Sequence, residues 1–307
     1  MRHESILVIG GSGFIGRHVV AQLAASGRRV LVPSRRYERA RPLLVLPTVQ
    51  VIEADVFDEA ELRQLLRNVD AVINLVGVLH SRSAPAGAVW GPQFERAHVE
   101  LPRRLVRACE ATQVRRCLHM SALGAATDGP SMYLRSKAAG EKIMLDAAAM
   151  DVTVLRPSVV FGPEDQFLNL FARLQRWLPV LALGGAEARF QPVYVQDVAR
   201  AFLLALEDRS TIGKTFELVG PNVYSLRELI RMAGLYSGHP RPLFGLPPAL
   251  ARLQALMLEF MPGGPLMSRD NVDSMKVDNV ASAERPALPG WQATALEAVA
   301  PLYLGPH

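Results

Sequence analysis

The sequence contains little cysteine, little lysine and no long apolar run, and each shortage excludes a class of protein. Two cysteines occur among 307 residues, and Cys109 and Cys117 lack the spacing of metal ligands. We therefore predict no metal site and two buried, reduced thiols, as in a cytoplasmic protein. The first strand is predicted to begin near residue 5, which leaves no length for a signal peptide. No apolar stretch is long enough to cross a bilayer.

Lysine accounts for only four of the 34 basic residues, and the formal net charge is +5. No run of basic residues is interleaved with aromatic residues, so the sequence predicts no nucleic-acid partner. Half of the residues are hydrophobic. That share is sufficient for a large core and for more than one sub-domain.

A glycine-rich turn follows the first apolar strand, 6–9, and precedes a helical pattern. In the spacing G-x-G-x-x-G, one glycine permits the tight turn, one lets the backbone approach a pyrophosphate, and one lets the helix pack on the strand. The free N–H groups at the helix N-terminus would hold the phosphates. The residues predicted to bind a dinucleotide here are Gly10, Gly11, Ser12, Gly13, Phe14, Ile15, Gly16 and Arg17.

Strands and helices alternate through the first half of the sequence, which predicts a parallel sheet with helices on both faces. The alternation weakens after Arg156. We therefore predict an α/β fold, with a doubly wound parallel sheet (Rossmann) over 1–156. A small substrate-side domain, mixed with returning sheet elements, is predicted over 157–307. Asp58 and Asp197 are predicted to cap helices, Ser225 to begin a capping box, and one helix to span 132–150.

The end of the second strand indicates which dinucleotide binds. Sites that select NAD usually place an acidic residue there, whereas this sequence has Ser34, Arg35 and Arg36, with no acid before Glu38. A guanidinium fork suits a 2′-phosphate, and Arg17 could reach the same group. The sequence therefore predicts NADP(H). Alternatively, the arginines form a solvated face and NAD(H) binds without discrimination.

Two further turns are predicted to line the cofactor. Asp55, followed by Val56, ends the third strand and either bonds the adenine edge or stabilises its own turn. The fourth strand ends in a small turn that exposes its backbone beneath the ribose. That turn comprises Asn74, Leu75, Val76 and Gly77.

Tyr133 and Lys137 stand four residues apart on a predicted helix and so project from one face. A phenol with an ordinary pKa near 10 is a poor proton donor or acceptor at neutral pH. A neighbouring ammonium group lowers that pKa, so we predict that Lys137 activates Tyr133 and holds the nicotinamide ribose. The alternative is a pair on the surface of a helix.

These residues together resemble the short-chain dehydrogenase/reductase superfamily, in its extended and atypical branch. The resemblance implies that the loop containing Pro157, Ser158 and Val159 borders the nicotinamide, and it includes Ser121 as a candidate catalytic hydroxyl. A narrower resemblance is to the group of the complex I alpha-subcomplex subunit 9 and its stand-alone bacterial relatives. The segments that carry it are 94–96, 119–123, 133–142 and 267–279.

That group implies a tightly held NADP(H) and an association with quinone-linked respiratory membranes or ubiquinone biosynthesis. The sequence departs from the superfamily's usual active site at two positions. Ala122 stands where a carbonyl-binding Ser or Thr is common, and His98 replaces an asparagine. Two hypotheses follow: an oxidoreductase acting on an apolar, quinone-related substrate, or a non-catalytic accessory subunit stabilised by its cofactor.

Two features have open interpretations. His80 either faces substrate or is simply exposed, and His119 is predicted to be a core histidine. The segment 246–261 has apolar residues at helical spacing and packs in the substrate-side domain, or it meets a membrane, a partner subunit or a long apolar substrate. We expect this helix to be partly exposed. If it meets a membrane, the protein is expected to be peripheral at the inner membrane.

Overall fold

A computed structural model describes residues 3–259, 267–284 and 286–305. Seven parallel strands form the central sheet, in the order β11-β6-β5-β4-β1-β2-β3. The strands are β1 (Ser5–Ile9), β2 (Arg29–Ser34), β3 (Val49–Glu53), β4 (Ala71–Asn74), β5 (Arg116–Met120), β6 (Asp151–Pro157), β7 (Val160–Phe161), β8 (Leu181–Leu183), β9 (Arg189–Phe190), β10 (Val193–Tyr194), β11 (Thr215–Leu218), β12 (Tyr224–Ser225) and β13 (Leu243–Gly245).

Helices cover both faces of this sheet, which confirms the predicted doubly wound α/β fold. A π-helical turn, Glu95–Glu100, leads into α5, and 3-10 turns occur at Arg41–Val45 and Arg209–Thr211. The α-helices are α1 (Phe14–Ala25), α2 (Tyr37–Ala40), α3 (Glu59–Leu66), α4 (Pro92–Phe94), α5 (Leu101–Thr112), α6 (Met132–Leu145), α7 (Leu168–Trp177), α8 (Val195–Glu207), α9 (Leu226–Tyr236), α10 (Pro248–Glu259), α11 (Arg269–Ser274) and α12 (Leu296–Leu304).

The central strands β1 and β4 are buried on both faces, and this explains their nearly continuous apolar sequences. On one face the side chains of α1 and α8, including Val19 and Phe202, pack against β1 and β4. On the other face α3 and α5 contribute Leu62 and Leu105. The core therefore fixes the positions of the strands whose carboxyl ends border the predicted cofactor site.

The second half of the chain has a separate apolar cluster around Phe161, Phe171, Leu229 and Leu296. Three short strand pairs frame it, β7 with β10, β8 with β13, and β9 with β12. The strand β11 returns to the edge of the main sheet. The division at residue 156 remains a prediction.

Several local expectations change in the structure. Asp197 lies inside the first turn of α8, where its carboxylate accepts a hydrogen bond from the Thr294 N–H; the prediction that it caps the helix is wrong. The helix predicted over 132–150 ends at Leu145. The capping box at Ser225 is confirmed. None of the helices in the described part of the chain has the length and apolar character that crossing a bilayer requires.

Candidate functional site

The glycine-rich turn closes tightly against α1. Gly10 has a φ of +84°, and the Gly13 N–H donates to the Gly10 carbonyl over 3.0 Å. A Cβ at Gly16 would lie 2.2 Å from the Gly10 oxygen, so only glycine fits there. No side chain caps α1 and no acid occupies its first turn. Its N-terminal N–H groups therefore suit an anion.

A cavity of about 410 Å³ opens beside this turn. Arg35, Arg36 and Arg39 lie along it, and no carboxylate does. None of the ion pairs among the described residues includes these three guanidinium groups. A larger cavity, about 840 Å³, lies between β3 and α3 and contains none of the predicted site residues. The predicted cofactor residues that line the smaller cavity are Gly10, Ser12, Ser34, Arg35, Arg36, Val56 and Val76.

Arg17 and Asp55 have protein partners instead. The Arg17 guanidinium pairs with Glu164 at 2.5 Å, which joins α1 to the loop after β7. Asp55 accepts the Phe57 N–H over 3.1 Å and so stabilises its own turn, which is one of its two predicted roles. Its other carboxylate oxygen lies 3.6 Å from the Arg96 guanidinium group. The predicted contacts of both residues with a cofactor remain predictions.

The turn after β4 reaches the predicted catalytic lysine. The Asn74 amide bonds the ring of buried His119 over 3.2 Å, and its oxygen accepts the Val76 N–H. A Cβ at Gly77 would lie 3.9 Å from Lys137 Nζ. The fold thus brings the turn after β4 close to His119 of β5 and to Lys137 of α6. His119 is a core histidine with a hydrogen-bond partner, as expected.

Lys137 is buried, and its ammonium group donates to the Met120 carbonyl over 2.7 Å. Burial lowers the pKa of Lys137 to about 8. Burial also raises the pKa of Tyr133 to about 12, so the prediction that Lys137 lowers it is wrong for the chain alone. The reason is physical: removal from water disfavours the phenolate, while the ammonium group is directed at a carbonyl of β5.

Two hydroxyl groups near this lysine lack protein partners within the described ranges. The Tyr133 hydroxyl forms no hydrogen bond there, although the backbone of this residue does. Ser121 directly follows Met120 and is 3% exposed, and its Oγ has no partner. A buried polar group left unpaired is costly. Each hydroxyl is therefore available to bind a ligand atom. Ala122, at the position of the common second hydroxyl, is buried.

His98 has a structural role that the sequence left open. Its Nε2 accepts the Val78 N–H over 3.1 Å, so Nδ1 carries the proton and donates to Ser136 Oγ over 2.8 Å. The ring stacks on Phe94 and meets Tyr133 edge-on. Burial, with a smaller effect of nearby Lys137, lowers the pKa of His98 to about 2. It is therefore a neutral ring that fastens the β4 loop to α6.

The sequence reasoning missed Asp270. Its carboxylate accepts the N–H groups of Met132 and Tyr133 over 2.7 and 3.0 Å, at the start of α6. Ser274 Oγ also donates to Ser131, the N-cap of that helix. Burial raises the pKa of Asp270. The available signal was the segment 267–279, which the sequence analysis singled out without assigning a role.

The same segment also holds the predicted nicotinamide loop. Asn279 Oδ1 accepts the Ser158 hydroxyl over 2.6 Å and the Val159 N–H over 3.2 Å, and Pro157 accepts the Leu123 N–H through its carbonyl. His80 has a buried Nδ1 without a partner in the described chain. Burial lowers its pKa, and Glu259 and Asp270 oppose that shift. His80 is half-buried, and its role toward a substrate remains a prediction.

Comparison with known proteins agrees with this arrangement. Residues 6–218 match the sequence pattern of the NAD dependent epimerase/dehydratase family. The chain belongs to that family. The predicted resemblance to extended short-chain dehydrogenases is confirmed, and an NAD-type dinucleotide is the family's cofactor.

Proteins similar in sequence to this chain include subunits of respiratory complex I. The NADH dehydrogenase [ubiquinone] 1 alpha subcomplex subunit 9 of Arabidopsis thaliana is 34% identical over 293 residues, covering 90% of this chain and 70% of that protein. The mouse (Mus musculus) protein of that name is 33% identical, with coverages of 94% and 77%. A ceramide reductase from Caulobacter vibrioides is 30% identical, with coverages of 79% and 73%.

Solved structures show that the fold is shared more widely than the sequence. MoeE5 in complex with UDP-glucose and NAD superposes with a TM-score of 0.74 at 22% identity, covering 98% of this chain and 97% of that one. Pal from Bacillus thuringiensis gives 0.75 at 18% identity, with the same coverages. At these identities the likeness shows the fold alone, and it does not bear on the substrate.

Proposed function

We propose that this chain is an NADP(H)-dependent oxidoreductase that reduces a carbonyl group of an apolar substrate. The observation that carries the proposal is the Ser121 hydroxyl, which is buried and unpaired within the described chain. It directly follows Met120, whose carbonyl binds Lys137. A hydroxyl after β5, with a phenol and an ammonium group one helical turn apart on α6, supplies the groups that carbonyl reduction needs.

The residues fit an NADP(H) molecule. Only glycine fits at position 16, so the turn can admit a pyrophosphate, and the uncapped start of α1 would hold it. Arg35 and Arg36 would bind the 2′-phosphate in a cavity that has no carboxylate. Pro157, Ser158 and Val159 would border the nicotinamide.

When bound, NADPH would supply the hydride that the carbonyl carbon accepts. The Ser121 hydroxyl donates a hydrogen bond to the carbonyl oxygen, and the Tyr133 phenol then gives its proton to that oxygen as negative charge develops. Because burial raises the pKa of Tyr133 to about 12, the phenol is protonated at neutral pH. That state supports reduction, since alcohol oxidation would begin with a phenolate. The Lys137 ammonium group adds positive charge and would bind ribose hydroxyls.

The substrate class is inferred from the relatives. Their names contain ubiquinone, ceramide and sterol, as in the sterol demethylase protein B of Methylococcus capsulatus, which is 26% identical. All three are apolar molecules with oxygen-bearing groups. We infer an apolar, quinone-related carbonyl substrate, and an enzyme in the cytoplasm or peripheral at the inner membrane.

Cofactor preference is tested by calorimetric titration with NADPH and NADH. We expect NADPH to bind more tightly, and Arg35→Ala and Arg36→Ala each to remove about ten- to a hundredfold of that preference, because each deletes a charged hydrogen bond. Arg41→Ala is the control, since Arg41 pairs with Glu38 and does not line the cavity. Equal affinity for the two cofactors would make the arginine argument wrong.

A second function is favoured by a specific observation. Ala122 is buried and lacks the hydroxyl that commonly binds a substrate carbonyl at this position, which suits a cofactor-stabilised accessory subunit of a respiratory complex. The two functions differ in turnover. With a panel of quinones and apolar ketones, an enzyme oxidises NADPH, and Tyr133→Phe loses about a hundredfold or more of the rate. Unchanged cofactor across the panel, in both proteins, would indicate the accessory subunit.

A further inference from the structure

The C-terminal half presents an exposed apolar surface that the proposed chemistry does not use. We call it the α7–α10 face. Trp177 is 82% exposed, Met257 67% and Phe244 59%. Large apolar side chains at such exposure, on elements that are neighbours in the chain or in the fold, mark an interaction surface. The members of the face are Trp177, Leu178, Val180, Phe244, Leu250, Leu253 and Met257.

Contacts between the elements make this one surface. β8 pairs with β13, with Leu181 opposite Leu243 and Ala182 opposite Phe244. Gln254 of α10 donates to the Ala182 carbonyl over 2.9 Å. The α10 helix turns its small residues, Ala251 and Ala255, into the protein, and this leaves its larger apolar residues outside.

The same surface carries positive charge and no free negative charge. The sequence has no Asp or Glu over 166–186 and over 229–258. Arg173 and Arg176 share one side of α7 with Trp177, at i, i+3 and i+4. Both arginines are exposed, and no ion pair among the described residues includes them.

The acidic side chains that border the face are neutralised. Glu187 pairs with Arg227 at 2.8 Å, and Glu259 pairs with Arg269 at 2.9 Å. Asp273 lies 3.0 Å from Arg252 and 2.6 Å from Lys276. An anionic surface could therefore approach without repulsion.

We propose that the α7–α10 face binds the surface of a bilayer that contains anionic phospholipid. Exposed Trp, Phe, Leu and Met would enter the headgroup region, and the arginines would bind lipid phosphates while their stems lie along the apolar part. This inference rests on the membrane location given under the proposed function and identifies the surface responsible, and it needs neither cofactor nor substrate. The charged side chains of the face that have no ion-pair partner among the described residues, Arg173 and Arg176, are both positive, and this favours an anionic surface as the occupant.

The apolar part is tested by flotation of the full chain with vesicles. We expect binding to equal parts of phosphatidylcholine and phosphatidylglycerol, and little binding to phosphatidylcholine alone. Phe244→Ser and Leu253→Ser should each weaken binding about tenfold, because each removes a buried apolar side chain from the bound state. Val45→Ser is the control, since Val45 is also 82% exposed but lies outside the face. Equal losses in all three variants would overturn the proposal.

The charge part uses Arg173→Gln and Arg176→Gln, with Arg67→Gln as the control at an exposed arginine of the sheet domain. Each substitution on the face should weaken binding to the mixed vesicles about fivefold, and added salt should weaken wild-type binding. Binding that ignores salt and both substitutions would overturn the proposal.

Trp177 reports the site of contact directly. Brominated lipids in the mixed vesicles should quench tryptophan fluorescence in the wild type and much less in Trp177→Phe, which keeps an aromatic ring and should still bind. Equal quenching in the two proteins would place the contact elsewhere and contradict the proposal. So would concentration-dependent self-association abolished by Leu253→Ser without vesicle binding, which would make the face a contact between copies.

Discussion

At the scale of one residue, loss of the Ser121 hydroxyl should lower turnover without lowering stability. It is buried without a partner in the described chain, so removing it costs no hydrogen bond. We expect Ser121→Ala to leave the free energy of unfolding unchanged or to raise it by about 1 kcal/mol. Turnover should fall by about a hundredfold or more, as when one donor to a developing oxyanion is deleted.

Urea unfolding and NADPH oxidation measure the two effects. The control is Ser136→Ala, because Ser136 Oγ bonds His98 and the Tyr133 carbonyl and its loss should destabilise the fold. If Ser121→Ala kept full turnover, another group would have to stabilise the carbonyl oxygen.

Lys137 makes stability depend on pH. Burial lowers its pKa to about 8 from an ordinary value of 10.5. Between about pH 8 and about pH 10 the unfolded chain therefore holds a proton that the native chain has lost, and the free energy of unfolding rises with pH. The full effect is on the order of 3 kcal/mol. Burial of Tyr133, with its pKa of about 12, reverses the trend above about pH 10.

The measurement is urea unfolding across this range for the wild type and for Lys137→Met, which should lack the rise. The difference between the two proteins isolates the lysine, because burial raises the pKa of the Cys109 and Cys117 thiols and acts in the opposite direction. Lys214→Met, at an exposed lysine, should follow the wild type. A parallel pH dependence in Lys137→Met and the wild type would contradict the assignment.

At the scale of elements, local signals predicted local structure well. The strand Val49–Glu53 and the helix that follows Asp58 lie where the sequence predicted them, because apolar spacing and an N-cap are encoded by neighbours. Asp197 has the same capping chemistry, but a distant loop takes its carboxylate. The role of Asp270 depends on contacts with α6 across 137 and 138 positions of the chain, and no local pattern contains them.

Asp270 is the residue through which α11 holds the predicted catalytic helix. Its carboxylate accepts two N–H groups at the start of α6, so Asp270→Asn removes a charge from the helix N-terminus and one of two acceptors. We expect a loss of about 1 kcal/mol in the free energy of unfolding. Because Tyr133 is one of the two residues held, the rate of NADPH oxidation should fall more than the loss of folded protein explains.

The matched control is Asp58→Ala. One oxygen of Asp58 caps α3 by accepting the N–H groups of Ala60 and Glu61, so alanine removes both bonds at a cost of about 1 kcal/mol, and Asp58 lies outside the site. It should lose similar stability and keep kcat. Equal kcat in the two variants would show that Asp270 only stabilises the fold.

At the scale of the whole molecule, an N-terminal helix and a C-terminal residue both hold the segment 158–164 beside the candidate site. Arg17 of α1 pairs with Glu164, and Asn279 holds the loop at Ser158. A dinucleotide bound to the glycine-rich turn and reaching that loop would touch both groups of elements. Its binding energy would then act on the stability of the entire chain rather than on one domain.

The oxidoreductase and the accessory subunit therefore share one prediction. NADPH at a hundredfold excess over its dissociation constant should add about 2.7 kcal/mol to the free energy of unfolding, a rise of about 5 °C or more in Tm. NADH should give a smaller rise at the same concentration, and the double variant Arg35→Ala with Arg36→Ala should respond equally to both. Differential scanning fluorimetry measures these shifts.

Hydrogen exchange should show protection by NADPH at the turn near Gly13 and also over 268–279, because the loop at Ser158 connects them. Protection confined to the turn would mean that the cofactor does not reach that loop, and the absence of any shift would make both functions wrong.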